Sequence, residues 1–217
     1  MKNEIESAEE TAMSDDTKEH RAFTIFYKLG SKLYVNITNK CQCNCVFCIR
    51  NLTDGIGSAR TLWLSKEPTL DEMKSAFDSQ HDLTDFDEVV FCGYGEPLER
   101  ADEVVRLAHY LKEKSSLPLR LNTNGLVRLI NQDFDVNKLA IFDRISVSLN
   151  ADDAKEYLRI TRPSFGIGSF DEMLSFAEAV KGFSSVTLSV VEGLTPERIE
   201  NCRTIAKRMN VPLRVRN

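Results

Sequence analysis

The chain has 217 residues, a formal net charge of −5, 42% hydrophobic residues and 28% charged residues. That size and composition suit a single globular domain with a sizeable core, and the acidic balance argues against a basic surface for nucleic acid. No apolar run approaches the ~20 residues of a membrane span, and the N-terminus lacks the charged-then-apolar plan of a signal peptide.

Residues 1–22 are polar and mostly acidic. They hold almost no large apolar side chains to offset ordering entropy, so a flexible tail is expected there, with the folded domain over 23–217. The first predicted strand, 33–37, ends just before a group of cysteines. A helix is predicted over 69–79: Leu70, Met73 and Phe77 share a face, and Thr69 with Glu72 makes a capping box. Residues 88–92 read as a second strand and 101–114 as a helix with Val104, Ala108 and Leu111 on one stripe. A third strand at 119–122 precedes a weaker helix near 136–142, and 144–149 reads as a fourth strand. Ser169 and Glu172 are expected to cap a helix that runs to Gly182, with Met173, Phe176 and Val180 inward. After a fifth strand at 186–191, Thr195 and Pro196 open a last helix whose Ile199, Cys202, Ile205 and Met209 line one face. Residues 213–216 form a sixth strand.

Strands alternating with helices predict βαβ units and a parallel sheet, either open and doubly wound or curved into a partial barrel. In both forms ligands collect at the carboxyl ends of the strands. Four polar motifs fall there: the cysteine loop after the first strand, Gly93-Tyr94-Gly95-Glu96-Pro97 after the second, Asn122-Thr123-Asn124-Gly125 ending the third, and Ser148-Leu149-Asn150 ending the fourth.

Four of the six cysteines lie between Cys41 and Cys48. Such crowding favours a soft metal site in a reducing, cytoplasmic compartment over disulfides. Cys41, Cys45 and Cys48 stand as C-x3-C-x2-C. Three thiolates on a four-iron cube leave one iron open, which suits reaction rather than structure. The alternative is a structural zinc site completed by Cys43.

The cysteine spacing, with Phe47 before the third cysteine, and the Gly93–Pro97 segment resemble radical S-adenosylmethionine enzymes, over about residues 33–216. Cys-Ile-Arg-Asn-Leu-Thr-Asp-Gly from Cys48 to Gly55, with Leu62-Trp63-Leu64, is similar to the TatD-associated radical SAM proteins. The resemblance implies a partial (β/α)6 barrel of parallel strands. It also implies a [4Fe-4S] cluster that reductively cleaves S-adenosylmethionine to a 5′-deoxyadenosyl radical, which takes hydrogen from an unidentified substrate. Under it, Cys41, Cys45 and Cys48 are the cluster ligands and Cys43 points away. Phe47 lies near the adenine. Gly93, Tyr94 and Gly95 offer backbone to the methionine ammonium, with Glu96 bracing that contact. Asn122, Asn124, Ser148 and Asn150 approach the ribose or methionine part. For Asn124-Gly125 an ordinary turn is an equal reading.

No separate acid or base is identified. Cys92 reads first as a buried small hydrophobe and Cys202 as core. The long connection 49–68 holds Arg50, Asp54, Arg60 and Trp63, candidates for a lid or substrate wall, and Arg162 is a candidate for an anionic group. No second cysteine cluster is visible, which implies an external one-electron donor of flavodoxin or ferredoxin type. Nucleic acid and membrane partners are not indicated. Oxidoreductase chemistry on an unknown substrate leads. The alternatives are a glycyl-radical activase, a nucleotide- or deazapurine-modifying enzyme, and a non-catalytic zinc or iron–sulfur module.

Overall fold

A computed structural model describes residues 24–80 and 82–216. The expected tail at 1–22 lies outside the described residues. Seven strands form one sheet in the sequential order β1 to β7. They are β1 (Phe26–Leu29), β2 (Lys32–Val35), β3 (Glu88–Phe91), β4 (Leu119–Thr123), β5 (Arg144–Ser148), β6 (Ser185–Val191) and β7 (Leu213–Arg216). The strands from β2 to β7 pair in parallel, while β1 is an antiparallel addition folded back on β2. The fold is the expected α/β partial barrel, open between its first and last strands. The hairpin at β1 escaped the sequence reading because Phe26–Leu29 is too short to alternate recognisably. Its turn passes through Gly30 at φ +60°, a conformation that glycine adopts without a Cβ penalty.

The helices are α1 (Leu70–Asp78), α2 (Ala101–Lys114), α3 (Val127–Ile130), α4 (Ala154–Thr161), α5 (Ser169–Val180) and α6 (Pro196–Arg208). The predicted box at α1 forms: Thr69 accepts from the Glu72 N–H, and Glu72 accepts from the Thr69 N–H at 2.8 Å. Thr195 caps α6 with Pro196 behind it. The expected cap at Ser169 does not form. Gly168 is the N-cap of α5, and Ser169 is buried as the first helical residue. The segment Val136–Ile141 is a 3-10 helix, and α4 was not anticipated.

Alternation along the strands sorts the two faces of the sheet. Val89 and Phe91, Leu119 and Leu121, Ile145 and Val147, and Leu188 and Val190 are fully buried under the helices. Each such side chain contributes roughly 1.5–3 kcal/mol on burial. Several intervening residues are polar and keep partial exposure, Asn122 on β4, Ser146 and Ser148 on β5 and Thr187 on β6, while Val90 and Ser189 are buried. The inner face is therefore a polar, solvent-reached concavity.

Candidate functional site

The cysteine loop leaves β2 and is held from both sides. On one side it pairs with the segment after α4: the Asn44 N–H donates to Thr161 O at 3.0 Å, Val46 N–H to Ile160 O at 2.9 Å, and Ser164 N–H to Gln42 O at 2.9 Å. On the other side the glycine turn docks against it. The Gly95 N–H donates to Thr38 O at 3.0 Å and the Glu96 N–H to Lys40 O at 2.8 Å. A Cβ on Gly95 would run into the carbonyls of Thr38 and Lys40, and one on Gly93 into the Asn36 side chain. Both glycines are required by close backbone approach.

Cys41, Cys45 and Cys48 are partly exposed on this loop and Cys43 is buried. Cys43, expected to point away from a cluster, stands close to Cys41 and Cys45. Its thiol hydrogen-bonds to those of Cys41 and Cys45, which together with burial holds it well above the ordinary thiol range. The same bond holds Cys45 below that range, and burial raises Cys48. Cys43 stands two residues from both Cys41 and Cys45, and side chains two apart in extended backbone share a side. Arg50 braces the loop, donating to Cys43 O at 3.4 Å and Asn39 O at 3.5 Å, rather than belonging to a lid.

Glu96 is the centre of the rim. Its carboxylate accepts from Thr123 Oγ1 at 2.7 Å, from the Asn124 N–H at 2.8 Å and from the Leu98 N–H at 3.1 Å. Burial pushes its pKa up to about 7, against the three hydrogen bonds, which lower it. Asn124 combines both of its readings. Its Oδ1 accepts from the Leu126 N–H, closing a turn, and from Gln42 Nε2 at 3.0 Å. Its Nδ2 faces Cys43 Sγ at 3.7 Å and Cys41 Sγ at 3.9 Å.

Other expected residues separate. The Tyr94 ring turns away from the loop into a second cluster with Tyr27, Ala59 and Leu62, and its hydroxyl donates to Thr53 O. Only its backbone faces the rim. Phe47 packs on the core edge and lines a cleft of about 440 Å³ with Val46, Ile160 and the β6–α6 connection. Cys92 follows β3 and is half-buried, and burial raises its thiol. Ser148 sits beside Ser189 in register, partly exposed. Asn150 is buried at φ +55° and accepts from Arg216 Nη2 at 2.9 Å. Arg162 ends α4 in the left-handed conformation, exposed. Asp54 accepts from the Leu62 N–H through its backbone carbonyl at 2.7 Å, folding the long connection on itself.

Three contributors were missed. Asn36 donates to Thr24 O and to Leu62 O at 2.8 Å, and Asn39 holds Leu64 at both its N–H and its carbonyl. Both follow β2 in an Asn-Ile-Thr-Asn run that carries no recognisable motif. Arg216 reaches the rim from the last strand, 66 residues from its partner Asn150, which no local pattern could signal.

Residues 35–205 match the family model of the radical SAM superfamily. The chain belongs to the radical SAM superfamily. Members of this superfamily use a [4Fe-4S] cluster and S-adenosylmethionine. One curated relative, a probable dual-specificity RNA methyltransferase RlmN of Koribacter versatilis (strain Ellin345), is 29% identical over 135 residues. The match covers 56% of this chain and 35% of the relative, so the chain spans about a third of that protein. The solved structure of TYW1 with a lysine-pyruvate adduct bound superposes with a TM-score of 0.60 at 14% identity, covering 88% of this chain and 66% of that one. This likeness bears on the fold. Among the described residues no helix is long and apolar enough to cross a membrane.

Proposed function

We propose that this radical SAM chain is an enzyme that holds a [4Fe-4S] cluster through Cys41, Cys45 and Cys48 and binds S-adenosylmethionine along the strand-end rim. The observation that carries this reading is the joining of three of the four polar motifs: the glycine turn bonds to the cysteine loop, and Glu96 bonds from that turn to the Asn124 turn.

The donor set suits such a group. It is all sulfur, which selects soft metals over hard cations. Three thiols on one loop, Cys41, Cys45 and Cys48, are partly exposed and can reach a bound group. When bound, cluster and cofactor supply one-electron cleavage of the sulfonium and hydrogen abstraction from the substrate.

The protein's own residues supply placement. Gly93 and Gly95 let the turn's backbone come close, and Glu96 keeps that turn fixed to β4. Asn124 presents an N–H to the sulfur side, and hydrogen bonds to sulfur raise a cluster's potential. Phe47 offers an aromatic wall to the cleft beside it, and Ser148 and Asn150, at the end of β5, are the further cofactor contacts of this reading. Cys43, buried, serves as packing rather than as a fourth ligand. The finer reading is a cytoplasmic oxidoreductase of the TatD-associated type, reduced by a flavodoxin or ferredoxin.

The test is anaerobic reconstitution followed by reduction. About four irons and four sulfides per chain, and 5′-deoxyadenosine formed from S-adenosylmethionine, are expected. Stable zinc binding without any nucleoside formed would remove the reading.

A further inference from the structure

Glu88 is the single acidic residue in any of the seven strands, whereas the inner face carries Lys32, Arg120, Arg144, Arg214 and Arg216. Lys32, Arg120 and Arg144 all converge on Glu88, at 3.0, 3.2 and 3.1 Å. One carboxylate cannot neutralise three cations, and Arg214 and Arg216 have no carboxylate partner among the described residues. In a chain of net charge −5 this is an inward concentration of positive charge.

Arg216 is the telling member. Its Nη2 donates to Asn150 Oδ1, but its Nε is buried and has no partner. Burial lowers its pKa, and Cys45 and Cys92 lie within its electrostatic reach. The Arg120 Nε is likewise buried without a partner. A guanidinium taken out of water is costly unless an anion answers it. A carboxylate or phosphate answers two N–H groups at once.

We infer that this inner face binds the substrate through an oxyanion group, a carboxylate or a phosphate, held by Arg216 with Arg214 and Arg120. The inference rests on the radical SAM reading for the word substrate. The basic strip runs from Arg216 at the end of β7 through Arg214 to Arg120 at the start of β4, down the inner face and away from the cysteine loop. That extent favours a substrate over the carboxylate of the cofactor. Cations on a concave inner face of an acidic protein suit a small anionic molecule better than an RNA backbone, which needs an outward basic surface.

The test is calorimetric titration of inorganic phosphate, and separately of malonate, into the reconstituted full chain, with sodium chloride at matched ionic strength as control. One of the two anions is expected to bind, which tells phosphate from carboxylate. Arg216→Gln should weaken it by at least about tenfold and Arg214→Gln by about threefold. Arg106→Gln, on the exposed side of α2, should leave it unchanged. S-adenosylmethionine affinity should stay within about twofold of wild type in Arg214→Gln and Arg106→Gln, since 0.4 kcal/mol is about twofold. The inference is overturned if neither anion binds beyond chloride, or if the variants that fold retain full anion affinity. It is also overturned if cofactor affinity falls in step with anion affinity in Arg214→Gln, or if a single-stranded RNA binds with Arg106→Gln as damaging as Arg216→Gln. Should Arg216→Gln not fold, Arg214→Gln, exposed and without an ion pair among the described residues, decides. Failure to form 5′-deoxyadenosine would sink the enzymatic reading while leaving the anion titrations intact, so the two failures are distinguishable.

Discussion

Thr123 Oγ1 donates a 2.7 Å hydrogen bond to Glu96 Oε1, joining the turn after β3 to the end of β4. The carboxylate is buried and receives two backbone N–H groups besides. The rim is thus pinned by one side chain that would rather be protonated.

This has a pH signature. Glu96 has an ordinary value of 4.5 and a folded value of about 7. Between these pH values the native state keeps a proton that the unfolded chain has released. Stability of the metal-free protein should therefore fall as pH rises from about 4.5 to 7, by roughly 3 kcal/mol in total. Carboxylates held low, such as Glu72, act below this window. Urea denaturation across pH 4.5–8 should show the slope in wild type and a flatter line in Glu96→Gln.

Cys41→Ala, Cys45→Ala and Cys48→Ala should each cut reconstituted iron well below about four per chain, while Cys43→Ala keeps it. The reason is that Cys43 is buried and tied to its neighbours as a donor, whereas the other three reach the solvent side. Iron and sulfide assays with visible absorbance check this. Equal loss in Cys43→Ala would make it a ligand.

Gly95→Ala should destabilise the protein by about 1–3 kcal/mol, because the added methyl meets the Thr38 and Lys40 carbonyls. S-adenosylmethionine affinity should fall further than stability does, since the turn must move off the cysteine loop. Thermal denaturation and a cofactor titration separate the two effects.

Asn39→Ala should loosen the long connection without melting the sheet. The Asn39 amide donates to Leu64 O at 2.7 Å and accepts from the Leu64 N–H at 3.0 Å. Losing both leaves two backbone groups short of partners, at about 1–3 kcal/mol each where buried. Hydrogen exchange should quicken over residues 60–66 while α2 stays protected. Uniform protection would contradict the assignment.

Much of this protein was determined by the sequence itself. The βα rhythm, the Thr69–Glu72 box, the Thr195 cap and the positions of the four rim motifs all follow from local patterns, because period and capping act over only a few residues. The cysteine spacing and Gly-x-Gly-Glu-Pro carried the family for the same reason. The tertiary structure alone decided which way side chains with two options would turn. Tyr94 left the rim for a cluster with Leu62, Cys43 came in beside Cys41 and Cys45, and Ser169 was buried instead of capping. It also brought Arg216 to Asn150 and gathered the cations on one face. Those outcomes depend on strands far apart in the chain meeting side by side, and a contact made across a sheet leaves no trace in the spacing of neighbouring residues.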